Sequence, residues 1–453
     1  MAAIGDDRAP HRGLRADMAL TGTRTFVGFG LGAIQAGLFL YEACQSAAFG
    51  RLVAAEVQPD VVAALRGAGG RLRVNIAHVE GVEQAAIGPV EVHDPASEAG
   101  RQSLVEATVE AQEIATAIPS VAHYVSPGPG SIHCILAEGL RMKASRGGPR
   151  AVVYVAEIHK QAAEILRSRV LAEVPRAERE GVRAQCQFLQ TVIGKMSGVV
   201  SSPQEIQAQG LATVTPDLPR AFLVEAFNRI LISRIQFAET AAEPPYRRGI
   251  EVFEEKDRLL PFEEAKLYGH NATHALAAYL GAVGGLRRIA DLCEIPGALP
   301  FLRAAFLEES GEALVRRHAG ADPLFTREGY RQYADDLLDR MTNPYLQDTV
   351  ERVGRDPARK LGWDDRLIGT MRMALREGVE PRRYAVGAAA ALATMDRAAL
   401  RAGASVEARL NPLWQETETN QSERESVLAL IAGGLCHLRR WLQSAFQDLE
   451  LLT

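Results

Sequence analysis

The sequence predicts an α/β domain with a parallel-rich sheet, followed by a mostly α-helical domain. Three observations predict it. Short apolar runs alternate with helical stretches through the first half of the chain. A glycine-rich turn follows the first of those runs. Beyond about residue 215 long helical patterns replace the alternation. At 453 residues the chain is too long for one ordinary domain, and two is the natural expectation.

The elements follow in order. Thr25–Gly28 reads as a strand and Ile34–Ser46 as a helix; RLVAAEV (51–57) is a second strand, followed by the short helix Asp60–Arg66. Next come the strand RLRVNIAHV, the helix Arg101–Ala111, the strand Glu113–Ile118 and the helix Ser131–Ala144, entered through the turn SPGPGS. RAVVYVA (150–156) is a further buried strand and Lys160–Val174 a further helix. Strands interleaved with helices form a parallel sheet covered on both faces. The later helices are Glu264–Leu280, Leu299–His318, Arg327–Arg340, Asp365–Glu377, Tyr384–Ala402 and Ser422–Leu451, separated by breakers such as PGALP and TNPY. Residues 1–23 read as a disordered tail with Met18 as an alternative start, 24–215 as the α/β domain and 216–453 as the helical one, the crossing falling in 200–220.

Composition narrows the function. A content of 47% hydrophobic and 24% charged residues describes a soluble globular protein. A formal charge of −5, with no basic cluster interleaved with aromatics, argues against nucleic acid. The five cysteines are scattered and form no CxxC pair, so neither a disulfide framework nor a zinc site follows and a reducing, cytoplasmic setting is expected. The apolar run Phe26–Tyr41 has 16 residues and is broken by four glycines, short of the ~20 needed to span a bilayer.

The first strand runs into Gly28-Phe-Gly30-Leu-Gly32-Ala-Ile-Gln35-Ala-Gly37. Glycines at such a turn let the backbone approach a pyrophosphate, and the helix N-terminus behind them, here Ala33 and Ile34, offers free N–H groups. Glu56 closes the second strand, 26 residues after Gly30. A carboxylate there can accept the ribose hydroxyls and repel a 2′-phosphate, which favours NAD over NADP. Thr116, at the end of a neighbouring strand, joins this group. The pattern is that of a Rossmann-type domain, with Gln35 in place of the third glycine.

The helical half carries KLYGHNATHALAAYLG, with Lys266, Asn271 and His274 at the spacing Lys-x4-Asn-x2-His. On an α-helix these lie at about 0°, 140° and 80°, on one broad face. An amine, a carboxamide and an imidazole suit proton transfer at an alcohol carbon, the lysine taking the hydroxyl proton and the other two steadying the oxygen. Such a lysine must be neutral, which burial or a neighbouring cation would favour. His270 and His274 form an HxxxH pair, but Asn271 stands where zinc helices of the HExxH kind have glutamate and no third ligand is evident, so no metal is expected.

On these residues, and on EESGEALVRR, NPYLQDTVERVGRDPARKL and DDRLIG, the chain resembles the polyol-specific long-chain dehydrogenases over residues 24–400. The resemblance implies NAD-dependent, metal-independent oxidation of a secondary alcohol, with Lys266 as general base and Asn271 and His274 as the oxyanion-stabilising pair. It implies a polyol or polyol-phosphate substrate, first among them mannitol 1-phosphate going to fructose 6-phosphate, and a monomer or weak dimer. Glu157, His159, Lys195, Arg359 and Lys360 are the candidate substrate contacts. Arg352, Arg355, Arg359 and Lys360 read equally as an anion site or as helix-end cations pairing with Glu351, Asp356 and Asp364. Departures stand at Gln35, at Ile158, where the family has an amide, and at Gly194, where it has a carboxylate. They keep two rivals open: a dehydrogenase of another polyol or aldonate, and an NAD-binding protein that has lost catalysis.

Overall fold

The parallel strands assemble in the dinucleotide-binding order. In a computed structural model describing residues 20–238, 245–401, 403, 405–415, 420–444 and 449, the chain divides into two compact units between Leu259 and Leu260. Residues 1–19, most of the tail expected from the sequence, lie outside the described residues. The strands of the first unit are β1 (Arg24–Phe29), β2 (Phe49–Ala55), β3 (Leu72–Ala77), β4 (Val82–Ile87), β5 (Val90–His93), β6 (Ala111–Thr116), β7 (Ala151–Val155), β8 (Cys186–Ile193), β9 (Ser197–Val200), β10 (Ala221–Glu225), β11 (Ile230–Ser233) and β12 (Phe253–Lys256). The larger sheet runs β12-β11-β8-β7-β6-β1-β2-β5, parallel from β5 to β8, with β11 antiparallel to β8. Numbered among themselves, its six consecutive parallel strands stand in the order 3-2-1-4-5-6.

Alternation along each strand explains why both faces are covered. Phe26, Ala54 and Tyr154 point to one side, where Phe39 and Phe253 stack in edge and offset contacts with Tyr154 at 5.0–6.0 Å. Val27, Val53 and Val153 point to the other, beneath the helices Glu98–Glu110, Ile132–Arg146 and Ala162–Glu173. The helix behind the glycine turn approaches β10 so closely that a Cβ on Gly37 would stand 2.5 Å from the Val224 side chain; Gly37 serves packing.

The sequence pattern places β3 in the main sheet, whereas it belongs to a second one of order β4-β3-β10-β9. The crossing expected at 200–220 differs from the division at Leu259 for the same reason. Strands β10, β11 and β12, all after that crossing, pair back into the two sheets.

The second unit is helical. One continuous helical run spans Leu260–Glu264, Ala265–His270 and Asn271–Val283, and its last part packs against Arg382–Met395, which packs in turn on Gln421–Gln443. No helix among the described residues is long and apolar enough to cross a membrane.

Asn75 of β3 shows how the second sheet is held. Its buried carboxamide donates to Ala212 O and Phe222 O, each at 2.9 Å, and accepts from Ala212 N at 2.8 Å. Asn75→Leu leaves three buried backbone groups unpaired and should destabilise the first unit by roughly 2–4 kcal/mol, measured as a lowered urea midpoint.

Candidate active site

In the first unit the sequence-predicted nucleotide residues stand at the C-terminal ends of β1, β2 and β6, where ligands of such sheets bind. Gly30 turns with φ 84°, and a Cβ there would stand 2.8 Å from Ala117 O, so the turn needs glycine twice over. A Cβ on Gly32 would meet open space. Ala33 and Ile34 open the helix. The buried Glu56 carboxylate accepts Leu31 N at 3.1 Å and Gln58 N at 2.8 Å, which fixes it against the glycine turn. Gln35 is fully buried along Gly28, and both its carboxamide atoms lack a hydrogen-bond partner.

Thr116 donates its hydroxyl to Glu157 at 2.9 Å. Glu157 also accepts Ile118 N at 2.9 Å and the Tyr124 hydroxyl, and burial pushes its carboxyl above the usual range despite these bonds. Its two oxygens thus tie β6, β7 and the following loop together. His159 is exposed beside Ile158, which is 76% exposed and makes no polar side-chain contact that could stand in for an amide. Lys195, two residues beyond the end of β8, is buried; it donates to Phe227 O at 3.0 Å and to Asn228 Oδ1 at 2.7 Å, and Asn228 donates to Glu42. At Gly194 a Cβ would meet the Phe227 ring at an ordinary 3.5 Å, so packing does not dictate the glycine.

In the second unit the lysine helix departs from α geometry. Ala265–His270 is a π-helical segment, and Asn271 N donates to Lys266 O. An i→i+5 bond puts residue i+5 where i+4 stands in an α-helix, about 40° round the axis. Asn271 therefore follows Lys266 at about 40° and not the ~140° of a regular helix, and His274 continues the stripe one α-turn later. Gly269 makes the segment possible, because a side chain there would collide with the Tyr330 hydroxyl and stand 2.7 Å from the Phe306 ring.

The stripe is electrostatically prepared. Burial, then the nearby Arg366 cation, bring the part-buried Lys266 amine down to about 8. Among the described residues none hydrogen-bonds that amine or the Asn271 carboxamide. His274 Nε2 lies 3.1 Å from Asp348 Oδ2, although the approach is off the direction of a good hydrogen bond. Burial alone would raise Asp348, but His274 and Arg352, whose Nε donates to Oδ1 at 2.8 Å, hold it below the usual carboxylate range. His270 is buried, and burial with the cations Arg340, Lys266 and Arg366 keeps its ring neutral.

Thr273, on the same helix, shares a 2.7 Å hydrogen bond with Tyr384, which also meets Ser310 at 3.0 Å. The adjacent Glu309 accepts Arg383 N and Tyr384 N at the start of helix Arg382–Met395, and burial lifts it to about 7. Lys360 is buried with its amine on Arg355 O, brought down to about 8 by burial and then by Arg366 and Arg359. Arg359 is exposed and pairs with Asp356 at 3.3 Å.

Asp348, Thr273, Tyr384 and Arg366 are the groups sequence reasoning missed. Asp348 stands four residues before Arg352, which hints at that pair, but its approach to His274 spans 74 residues.

Residues 258–434 match the mannitol dehydrogenase C-terminal domain family. Over 344 residues, 72% of this chain and 80% of the relative, the sequence is 29% identical to mannitol-1-phosphate 5-dehydrogenase of Pseudarthrobacter chlorophenolicus. Both matches are to polyol dehydrogenases. The fold of the chain is shared with mannitol 2-dehydrogenase of Pseudomonas fluorescens, solved as a ternary complex with NAD and D-mannitol (TM-score 0.70, 17% identity, 98% of this chain and 97% of the other). It is shared equally with a substrate-free D-sorbitol dehydrogenase (TM-score 0.70, 15% identity, 95% of each chain).

Asp348→Ala removes the carboxylate beside His274. Turnover of polyol should fall about tenfold or more through a loosened imidazole, with the circular dichroism spectrum unchanged. Wild-type turnover in this variant would show that His274 needs no carboxylate.

Proposed function

We propose that this chain is a polyol dehydrogenase that uses NAD to interconvert a polyol phosphate and the corresponding keto-sugar phosphate, with mannitol 1-phosphate and fructose 6-phosphate as the first pair. The observation that carries the chemistry is the Lys266 amine, brought to about 8 and placed on one helical stripe with Asn271 and His274. The 29% identity to a mannitol-1-phosphate 5-dehydrogenase supports the phosphorylated substrate.

Lys266, neutral, takes the proton of the substrate hydroxyl. Asn271 and His274 hydrogen-bond the oxygen as its charge rises and then settles into a carbonyl. Asp348 steadies the His274 ring from behind. In the first unit the residues present fit a dinucleotide: Gly30, Gly32, Ala33 and Ile34 would hold its pyrophosphate and Glu56 its ribose hydroxyls, the space open beside Gly32 leaving the backbone accessible. Bound there, NAD supplies the hydride acceptor. Thr116 and Glu157 keep the neighbouring strand ends in place, and we assign Glu157 to that task before any substrate contact. His159 and Lys195 remain outer candidates for substrate contact.

The pH dependence follows from the lysine. Oxidation needs the free amine, so its rate should climb as pH rises through about 8, while reduction, which needs the ammonium, should decline over the same range. Lys266→Ala should cut turnover roughly 10²–10⁴-fold with NAD affinity nearly unchanged. Activity equal to wild type would remove Lys266 from the mechanism. Assays of NAD reduction with mannitol, sorbitol, aldonates and the corresponding phosphates settle the substrate. The expected preference is for mannitol 1-phosphate, and turnover of free polyols alone would overturn the phosphate assignment.

A further inference from the structure

We propose that His270 is a further substrate contact, its imidazole holding a hydroxyl on a carbon next to the one that reacts. The inference rests on the reading of Lys266, Asn271 and His274 as the site of reaction, and it begins from a missing partner. His270 is only 5% exposed, and among the described residues none hydrogen-bonds its ring. Other enclosed histidines are held. His133 Nδ1 stands 2.7 Å from Ser131 Oγ and 3.0 Å from Tyr124 O, and His318 Nε2 stands 2.8 Å from Glu264. A polar ring taken out of water without a partner is costly, so the position calls for a ligand group that supplies one. A metal does not fit that need: among the described residues no three His, Cys, Asp or Glu side chains gather as a metal site.

The π turn brings this ring to the side of the site. With Asn271 about 40° from Lys266 round the axis, His274 falls about 20° to the other side and His270 about 40–60°. The two histidine rings lie 6.2 Å apart, centroid to centroid. The packing of the segment falls on the two residues before His270. A Cβ on Gly269 would stand 2.7 Å from the Phe306 ring, and Tyr268 is met by Thr370 Oγ1 at 3.1 Å and by the backbone at Gly369. Burial and the nearby cations keep the imidazole neutral, so it carries one donor and one acceptor. An alcohol carries the same pair. The reacting oxygen is taken by Lys266, Asn271 and His274. Every carbon beside the reacting one in a polyol chain bears a further hydroxyl, and one of these falls to the ring that flanks His274.

The test reduces three ketoses with NADH: fructose 6-phosphate and its 1-deoxy and 3-deoxy analogues, each lacking one hydroxyl beside the keto carbon. Full-length wild type, His270→Leu and His270→Gln are compared by kcat/KM. On fructose 6-phosphate His270→Leu should fall roughly tenfold, and His270→Gln, whose amide also donates and accepts, should recover part of that loss. On the analogue that lacks the contacted hydroxyl, wild type and His270→Leu should be about equal. The intrinsic reactivity of each analogue cancels in that comparison. A histidine that merely packs would leave His270→Leu impaired by the same factor on all three ketoses, and that result overturns the proposal. Should His270→Leu fail to fold, His270→Phe takes its place under the same criterion. The underlying reading fails separately. A wild type that reduces fructose but not its phosphate loses the phosphate assignment, and fructose with its 1-deoxy and 3-deoxy analogues then carries the same comparison. Full activity in Lys266→Ala removes the base and leaves the His270 comparison standing.

Discussion

The π-helical turn at Ala265–His270 is the constraint on which the second unit depends. Such turns are rare, occur mostly as single turns inside α-helices, and persist where packing favours them. Here the packing is specific. Gly269 admits Phe306 and Tyr330, Gly311 gives Tyr330 room from the other side, and Thr370 binds the Tyr268 carbonyl. Just beyond the turn, Thr273 is joined to Tyr384 and Ser310, and Glu309 holds the start of the Tyr384 helix. The consequence of this turn is alignment: an amine, a carboxamide and an imidazole that a regular helix would fan apart stand in one line.

Much of this was legible in the sequence. The six parallel strands announce themselves by apolar runs between helices, and the glycine turn by its spacing. The second sheet was not legible, because β3 reads like any buried strand and nothing local says which sheet it joins. The late strands β10 to β12 are 4–5 residues long and flanked by loops, too short to show a period. In the site, the spacing of Lys266, Asn271 and His274 was visible but the π turn was not, since its residues suit an α-helix equally. EESGEALVRR was recognisable only by resemblance. Its physical content is a buried cap at Glu309, a hydroxyl contact at Ser310 and, at Gly311, a place where Phe306 O and the Tyr330 ring leave no room for a Cβ. Asp348 was hidden because its contact with His274 exists only after folding.

In the first unit buried carboxylates act as staples. Glu113 accepts the Tyr154 hydroxyl at 2.8 Å and the backbone of Gly249 and Ile250. Glu157 joins β6, β7 and Tyr124. Each meets several donors, as a buried carboxylate must, although burial still leaves both carboxyls above the usual range. The same pattern explains why a carboxylate at a strand end is a poor guide to ligand contact from sequence alone: the backbone competes for its oxygens.

Glu56 carries this competition into evolution. One of its oxygens holds Leu31 of the glycine turn and the other holds Gln58. Under the proposed reading it also selects the coenzyme. A lineage or an engineer wishing to exchange one coenzyme for the other could not alter this position alone, because the same replacement would slacken the turn that receives the pyrophosphate. Coenzyme choice here is bound to loop architecture, and a switch would have to arrive as a linked set of changes.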